Sequence, residues 1–594
     1  MPIYKAPIRD FKFAMNEWLD ISQYSEKISG LDDLSLIDTI IDEGAKFCEE
    51  VLFPINKTGD EVGLKFEDGE VTLAPGFKEA YKTYVESGWG SLSCDTEYGG
   101  QGLPNVVNTP LIEMICSSNL SFGLFPGLTH GTYSALHHFG TDEQKNTYLP
   151  KLTTGEWSGI MCLTEPQSGT DLGLNTTKAV PNEDGSYNIT GTKIFISCGE
   201  HDAADNIIGL VLARLPDAPA GIKGISLFVV PKFLINEDGS LGERNKVSCG
   251  GIEHKMGIHA SPTCVMNYDG AIGWMVGEPN KGMKGMFTMM NEARLLVSIQ
   301  GLGIGEVSYQ NALDYSRERL QGRALKGAKF PDKKADPLYV HPDIRKMLLT
   351  MRSFTEGARV MSLWTALNLD IKNNSTDDRE KRDADDFIQI ITPIIKSYLT
   401  EEGTKTANLA MQVFGGHGYI KEQGVEQYAR DARICEIYEG TNGVQALDLV
   451  GRKMGAHTGR YLRAICHPVE QFITEHRDNE DMAEFTKPLY QGLKSLQNSS
   501  LWLGQKALAN PDEAAGASTD YLKLFALVTM GYIWARSAHI SLEKLKADDS
   551  EKLFYESKVA TARFFLNKIL PEHYSLLAKI TAGVKHLDIP DIEG

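Results

Sequence analysis

No uninterrupted apolar run in this 594-residue chain approaches the ~20 residues needed to cross a bilayer, so no membrane span is expected. The nine cysteines are an odd number and none forms a Cys-x-x-Cys pair. That pattern argues against a disulfide scaffold and a zinc centre, and no metal site is expected. Positive charge is in deficit: 60 Lys and Arg against 79 Asp and Glu give a net charge of −19. Such a surface repels phosphate backbones and anionic lipid, so nucleic acid is not an expected partner. Lys5, Arg9, Asp10 and Lys12 near the start are followed by no apolar stretch, and no secretory signal is read there. These absences point to a soluble protein of a reducing, cytoplasmic compartment.

The length exceeds what one core can serve and predicts three or four packed units. Apolar residues recur at helical spacing over 34–51, with Pro54 marking an end, and again near 77–87 and 109–118. Thr141-Asp142-Glu143-Gln144 reads as a capping box opening another helix. From about residue 156 the character changes: 187–196, 207–215 and 225–230 are rich in Ile, Val, Phe and Thr. Asp184-Gly185 and Asp238-Gly239 give turn signals between such segments. Helical periodicity returns over 286–319, 341–373 and 385–414, lengths suited to a bundle. A last helical region follows Arg460, with breaks at Asn510-Pro511 and over 514–518. The expected fold class is multidomain α+β. The expected parts are an N-terminal extension (1–33), a helical domain (34–157), a β-domain (158–280), a helical bundle domain (281–456) and a C-terminal helical extension (457–594).

Four segments carry candidate chemistry. Met161-Cys162-Leu163-Thr164-Glu165-Pro166, continuing to Gln167-Ser168-Gly169-Thr170-Asp171, sets small and hydroxyl residues around a proline turn. Amides and hydroxyls so exposed can bond a flat heteroaromatic ring or a phosphate; the same residues also make a plain polar turn. Lys193-Ile194-Phe195-Ile196-Ser197-Cys198-Gly199 is an apolar strand ending in a hydroxyl and a glycine. Phe195 could cover a ring face and Ser197 could donate to a ring nitrogen, or the segment is an ordinary strand end. Gln412-Val413-Phe414-Gly415-Gly416-His417-Gly418-Tyr419 has more glycine than a helix C-cap requires, as if a ligand approached the backbone. Gly301-x-Gly303-x-Gly305 has neither the G-x-G-x-x-G spacing nor a preceding strand and reads as helix packing. The fourth segment, Ile437-Tyr438-Glu439-Gly440-Thr441, follows Arg430-Asp431-Ala432-Arg433. Its carboxylate stands after an apolar pair and before a glycine where a helix could begin. Two roles fit: a base in an apolar pocket that removes a proton from carbon, or an acid that caps a helix and steadies its dipole. Glu436, three residues earlier, competes with it.

Together and in this order, these segments resemble the acyl-CoA dehydrogenase family of flavoproteins, from about Leu34 to Met454. The resemblance is carried by Leu163-Thr164-Glu165-Pro166 with Gly169-Thr170-Asp171, Gly415-Gly416-His417-Gly418, Arg430-Asp431-Ala432 and Ile437-Tyr438-Glu439-Gly440-Thr441. Glu97-Tyr98-Gly99-Gly100-Gln101-Gly102 and Gly140-Thr141-Asp142-Glu143-Gln144 support it. The start, Tyr4-Lys5-Ala6-Pro7-Ile8-Arg9-Asp10, and the helical region after Arg460 are similar to a large bacterial subgroup with both extensions. That subgroup includes 3-(methylthio)propanoyl-CoA dehydrogenases.

The resemblance implies an N-terminal helical domain, a central β-barrel-like domain, a four-helix bundle and an extra C-terminal helical domain. It implies bound FAD, contacted by Met161, Leu163, Thr164, Phe195, Ser197, Arg319, Gln321, Gln412, Gly415, Gly416 and Thr441, with Arg319, Gln321, Gln412, Gly415 and Gly416 reaching the FAD of a neighbouring subunit. Substrate would meet Thr170, Arg294, Tyr438 and Gly440. Glu439 would be the catalytic base, abstracting the α-proton of an acyl-CoA while the β-hydride passes to flavin N5, to give a trans-2-enoyl-CoA. The implied substrate is a short or medium acyl-CoA or 3-(methylthio)propanoyl-CoA, the implied acceptor an electron-transfer flavoprotein and the implied assembly a homodimer. An acyl-CoA oxidase shares the same base and flavin logic, and a DNA-binding relative is disfavoured by the acidic balance. Three departures stand out. Phe195 replaces the usual tryptophan, Gly322 and Arg323 follow Gln321 where an aromatic is usual, and Ala293 occupies the position where some members carry the base.

Overall fold

The computed structural model describes residues 2–547 and 550–589. The architecture is multidomain α+β, with a helical N-terminal part, a β-sheet middle part, and a helical C-terminal part followed by further helices. The chain divides into two compact units, one made of residues 43–104 and 114–296, the other of 1–42, 105–113 and 297–594.

The first unit holds the strands: β1 (Lys65–Glu67), β2 (Glu70–Thr72), β3 (Trp157–Cys162), β4 (Lys178–Pro181), β5 (Tyr187–Ser197), β6 (Asn206–Arg214), β7 (Ile225–Pro231), β8 (Phe233–Ile235), β9 (Leu241–Arg244), β10 (Val247–Ile252) and β11 (Thr263–Val276). β1 with β2 and β8 with β9 are two-stranded ribbons. The main sheet runs β10-β11-β5-β4-β6-β3, and β7 pairs with both β11 and β6. That double pairing closes β11, β5, β4, β6 and β7 into a ring. Asp184-Gly185 turns β4 into β5, with Gly185 at φ +84° and the Asp184 carboxylate accepting from Ser186 N at 3.0 Å. The Thr141 hydroxyl accepts from Gln144 N at 3.2 Å while the Gln144 side chain accepts from Thr141 N at 3.0 Å, so the expected capping box is present.

Two helical details differ from expectation. The helix Leu34–Phe47 does not stop at Pro54; it passes through a π-turn, Cys48–Leu52, into Phe53–Val62. Pro54 follows directly on that π-turn, in which Phe53 N–H bonds Cys48 O, so the proline falls where the α-helical ladder is already shifted. The helix Leu120–Phe139 is interrupted in sequence by Gly123, Pro126, Gly127 and Gly131, which mask its periodicity. Close packing accounts for part of this small-residue content, since a Cβ on Gly159 of β3 would lie 2.4 Å from the Thr132 side chain.

The second unit is built on long helices, chiefly Pro342–Asn374, Asp378–Phe414 and the later part of Gly282–Glu318. The Gly301 repeat serves packing. A Cβ on Gly301 would lie 2.4 Å from Leu399 O, and one on Gly403 would lie 2.3 Å from Gly301 O, so the two backbones touch. Both extensions pack in this unit. The Trp534 indole donates to Ser353 O at 2.9 Å and that of Trp18 to Ile533 O at 3.3 Å. Lys558 reaches Asp10 at 2.5 Å and Glu356 at 2.7 Å in a buried network. The expected break over 514–518 is absent, because the helix Pro511–Ala547 runs through it and buries Ala514, Ala517 and Ser518. Alanine is the best helix former, so that run favours continuity.

Candidate active site

In the first unit, β3 ends at Cys162 and the chain leaves as Leu163-Thr164-Glu165-Pro166. Met161 and Thr164 are half-buried and Leu163 is buried. This exit is tied to β5 by Ile194 N donating to Thr164 O at 2.9 Å. Lys193, fully buried, donates to Leu163 O at 3.1 Å and to the Glu165 carboxylate at 2.8 Å. Glu165 also accepts from Thr176 N at 2.7 Å, Thr177 N at 3.0 Å and the Thr177 hydroxyl at 2.6 Å. Burial alone would raise its carboxyl, but the Lys193 ammonium and these bonds outweigh that and hold it at about 2.

Directly after Lys193 the strand bulges. Lys193 faces Met266 and Ile196 faces Cys264, so two residues of β5 oppose one of β11. Phe195 lies in that bulge at φ +58°, a left-handed conformation rare for a bulky residue, and the residue is 59% exposed. Ser197, two residues on, is half-buried. Met161, Thr164, Phe195 and Ser197 thus belong to one neighbourhood at the β3 exit and the β5 end. Thr170 is exposed on the loop that follows, beside Gly169, where a Cβ would meet nothing within 4 Å.

Arg294, on the helix Gly282–Glu318, is buried at 6% exposure. Ala293 beside it offers no carboxylate. Burial pushes the Glu292 carboxyl up to about 8, against a hydrogen bond from Ser134, so it stays protonated at neutral pH and is a poor base. The sign of its pH effect follows. Between its ordinary 4.5 and about 8 the folded chain keeps a proton that the unfolded chain has released, so stability falls as pH rises through that window. Glu292→Gln should remove this slope, raising Tm over wild type at about pH 8 but not at about pH 5. A pH-independent Tm difference would remove Glu292 as the cause.

In the second unit, the helix Glu426–Arg433 and the turn Ile434–Glu436 lead to Tyr438 and Glu439, both half-buried. The Tyr438 hydroxyl donates to the side-chain carbonyl of buried Gln300. Glu439 has φ +56°, and Gly440 follows at +83°. The helix Asn442–Asp448 then begins, and its N-cap is Thr441, whose hydroxyl accepts from Val444 N at 3.2 Å. The capping role open to Glu439 in the sequence therefore falls to Thr441. Glu436, the competing acid, pairs with Arg433 at 3.4 Å.

The remaining expected residues lie at another end of this unit. Tyr315 stacks on Phe414 at 4.0 Å between ring centroids and bonds His417 Nδ1 at 2.8 Å. That contact joins the ends of the helices Gly282–Glu318 and Asp378–Phe414, bringing Arg319 and Gln321 to the end that carries Gln412, Gly415 and Gly416. All five are exposed. Gly415 has φ +61°, and a Cβ on either Gly415 or Gly416 would meet nothing within 4 Å, so packing does not explain Gly416. Gly418 differs: a Cβ there would lie 2.4 Å from Met411 O. The loop after Gln321 folds around buried Asp336, which accepts from Ala324 N at 2.9 Å and Phe330 N at 2.8 Å. The backbone N–H of Ala324 above all, with those of Phe330 and Lys329, holds its carboxyl down at about 2 against burial. Arg323, standing where an aromatic is usual, is turned into this loop toward Phe330 O at 3.0 Å.

In the first unit the bulged, outward Phe195 suits the face of a flat ring, and in the second the open glycine backbone suits a diphosphate, so each set taken by itself fits a part of FAD. Sequence reasoning passed over Lys193, Glu165 as an anchor, Tyr315 and Asp336. The one available signal was Lys193, a charge followed directly by the apolar run Ile194-Phe195-Ile196.

Comparison with known proteins gives four consecutive family matches. They are the acyl-CoA dehydrogenase N-terminal domain over residues 38–156, the middle domain over 160–271, the C-terminal domain over 280–454 and an acetyl-CoA dehydrogenase C-terminal-like domain over 465–588. The chain is 41% identical over 592 residues to the 3-methylmercaptopropionyl-CoA dehydrogenase of Ruegeria pomeroyi, covering 97% of this chain and 98% of that relative. It is 35% identical over 612 residues to a butyryl-CoA dehydrogenase of Syntrophomonas wolfei, covering 99% and 98%. Among solved structures, the acyl-CoA dehydrogenase complexed with FAD from Bacillus anthracis matches with a TM-score of 0.75 over 96% of this chain and 91% of that one. At 22% identity this is a likeness of fold.

Proposed function

The chain belongs to the acyl-CoA dehydrogenase family, whose members are FAD-dependent, and on that premise we propose that Glu439 is the base that removes the α-proton of an acyl-CoA thioester. The observation that carries this reading is the Glu439 backbone. A non-glycine residue held at φ +56°, with the helix cap supplied by its neighbour, has its conformation set for something other than capping.

The chain's own residues then have these tasks. An ordinary Glu, at about 4.3, is too weak to deprotonate the α-carbon unaided. Substrate binding would exclude water from the half-buried Glu439 and raise its basicity. The Glu439 N–H would donate to the thioester carbonyl and stabilise the charge that develops there, worth about 3 kcal/mol for a well-placed donor. Met161, Leu163, Thr164, Phe195 and Ser197 would hold and cover the flavin ring. Thr441 would lie beside the FAD phosphates, and Arg319, Gln321, Gln412, Gly415 and Gly416 would reach the FAD of a neighbouring subunit. Thr170, Arg294, Tyr438 and Gly440 would line the substrate path. FAD, when bound, accepts the β-hydrogen as hydride at N5, and the substrate leaves as a trans-2-enoyl-CoA.

For substrate, a short or medium acyl-CoA, 3-(methylthio)propanoyl-CoA included, is the proposal, supported by what the two relatives are named for. A thioether sulfur and a methylene are close in volume, so preference between them is expected to be modest, within about 10–200-fold. Electron-transfer flavoprotein is the proposed acceptor, a homodimer the proposed assembly and the cytoplasm the proposed location. Packing of both extensions on the long helices supports the dimer, because it covers surface that shorter relatives would use between dimers. Among the described residues, no helix is long and apolar enough to cross a membrane.

Anaerobic flavin bleaching over a panel of acyl-CoAs tests this reading. Butyryl-CoA and 3-(methylthio)propanoyl-CoA are expected to bleach fastest. Fast bleaching only by long chains would overturn the substrate class, and rapid peroxide release in air without the flavoprotein partner would make the enzyme an oxidase.

A further inference from the structure

Glu439 is gripped from behind, and one of the gripping groups is charged. The left-handed kink at Glu439 and Gly440 turns their two carbonyls inward. Gln445 Nε2 donates to Glu439 O at 3.2 Å and to Gly440 O at 3.3 Å. Lys396 Nζ donates to Gly440 O at 2.9 Å and to the Asn442 side-chain carbonyl at 3.0 Å. Asn442 in turn donates to Ser397 O at 3.2 Å. Lys396 is fully buried on the helix Asp378–Phe414. Lysine is almost never so buried, because taking its charge from water is costly. A neutral amide such as Gln445 would suffice to close an ordinary turn.

Resting on the reading of Glu439 as the base, we infer that Lys396 is a positioning residue for α-proton abstraction. Its ammonium pins Gly440 O and Asn442, and so holds Glu439 in the left-handed conformation that aims its carboxylate. Charge-assisted hydrogen bonds are about twice as strong as neutral ones, and that extra strength opposes relaxation. An L-residue released from such a grip returns to negative φ, a rotation of roughly 120°. The side chain would then swing well beyond the ~1 Å of misplacement that already costs about 10²-fold in rate.

The test uses the FAD-loaded enzyme. Lys396→Met keeps the volume and removes the charge. Its kcat per bound flavin is expected to fall about 10²-fold with KM within about threefold. The α-deuterium isotope effect on kcat should rise as proton abstraction becomes the slow step, and amide exchange over 437–442 should speed up, while flavin content holds. Asn442→Ala, which removes the second anchor, should give the same signature at about tenfold and covers the case of a Lys396→Met that does not fold. Wild-type kcat and exchange in Lys396→Met would overturn the inference. So would a fall in activity that merely tracks lost flavin, with an unchanged isotope effect. Glu439→Gln is measured beside it. Activity in that variant removes the base itself, whereas an inactive Glu439→Gln with an unchanged Lys396→Met removes only the positioning role.

Discussion

Glu439→Gln should fold, keep its yellow FAD and lose dehydrogenation by on the order of 10⁴-fold, the upper range for a general base and about 5 kcal/mol of barrier. The substitution keeps the side-chain length and the backbone. Thr441 still caps the helix Asn442–Asp448, and Gln445 and Lys396 still hold the two inward carbonyls. What changes is proton affinity: an amide cannot take the α-proton, and the two other acids weighed for the role, Glu292 and Glu436, are poor substitutes. Glu292 is held protonated by burial, Ala293 has no acid, and Glu436 is paired with Arg433. Glu436→Gln should therefore keep most activity, and a comparable loss there would move the base by three residues. Steady-state turnover per bound flavin in the two variants separates these outcomes.

Lys193→Met should cost about 3–5 kcal/mol, the penalty for leaving one member of a buried ion pair without its partner. Lys193 is fully buried and Glu165 is 2% exposed, so solvent screens little of that interaction. In a unit of this size the loss corresponds to a fall in Tm of roughly 10 °C. The same change releases Leu163 O and loosens the β3 exit from β5, and flavin retention should fall with it. Adding Glu165→Gln to Lys193→Met should restore part of the stability, because much of the cost is the uncompensated carboxylate. The pair also sets an acid limb. With the folded Glu165 carboxyl depressed to about 2, its contribution is full above the ordinary carboxylate range and is lost as pH falls toward 2. A Lys193→Met enzyme with wild-type Tm and flavin content would mean that the threonine bonds alone fix this segment.

Much of the fold was open to pattern reading where local chemistry and tertiary structure agree. The Thr141–Gln144 box, the strand over 187–196 and the three long helices are of that kind. The helix Leu120–Phe139 was hidden because its proline and glycines serve close packing against β3, which no local pattern reports. Pro54 and the 514–518 run misled for the opposite reason. A proline just after a π-turn and a run of alanines look like breaks, yet the helix runs through both. At the site, residue types were legible and backbone states were not. Nothing in the letters marks Phe195 or Glu439 as left-handed, since both would ordinarily avoid that region. Lys193 and Lys396 were passed over because a lysine is read as a solvated face, and only the folded chain brings Glu165 or Gly440 O to it. The resemblance supplied Glu439 with a role, and the structure transferred the rival role, capping, to Thr441.

The assignment of Glu439 as the group that takes the α-proton decides the rest of the mechanism. Its most direct test is rapid anaerobic mixing of wild-type and Glu439→Gln holoenzyme with butyryl-CoA while flavin absorbance is followed. Wild type should bleach fast, and Glu439→Gln should bind substrate with its flavin still oxidised. Bleaching of the variant at the wild-type rate would contradict it.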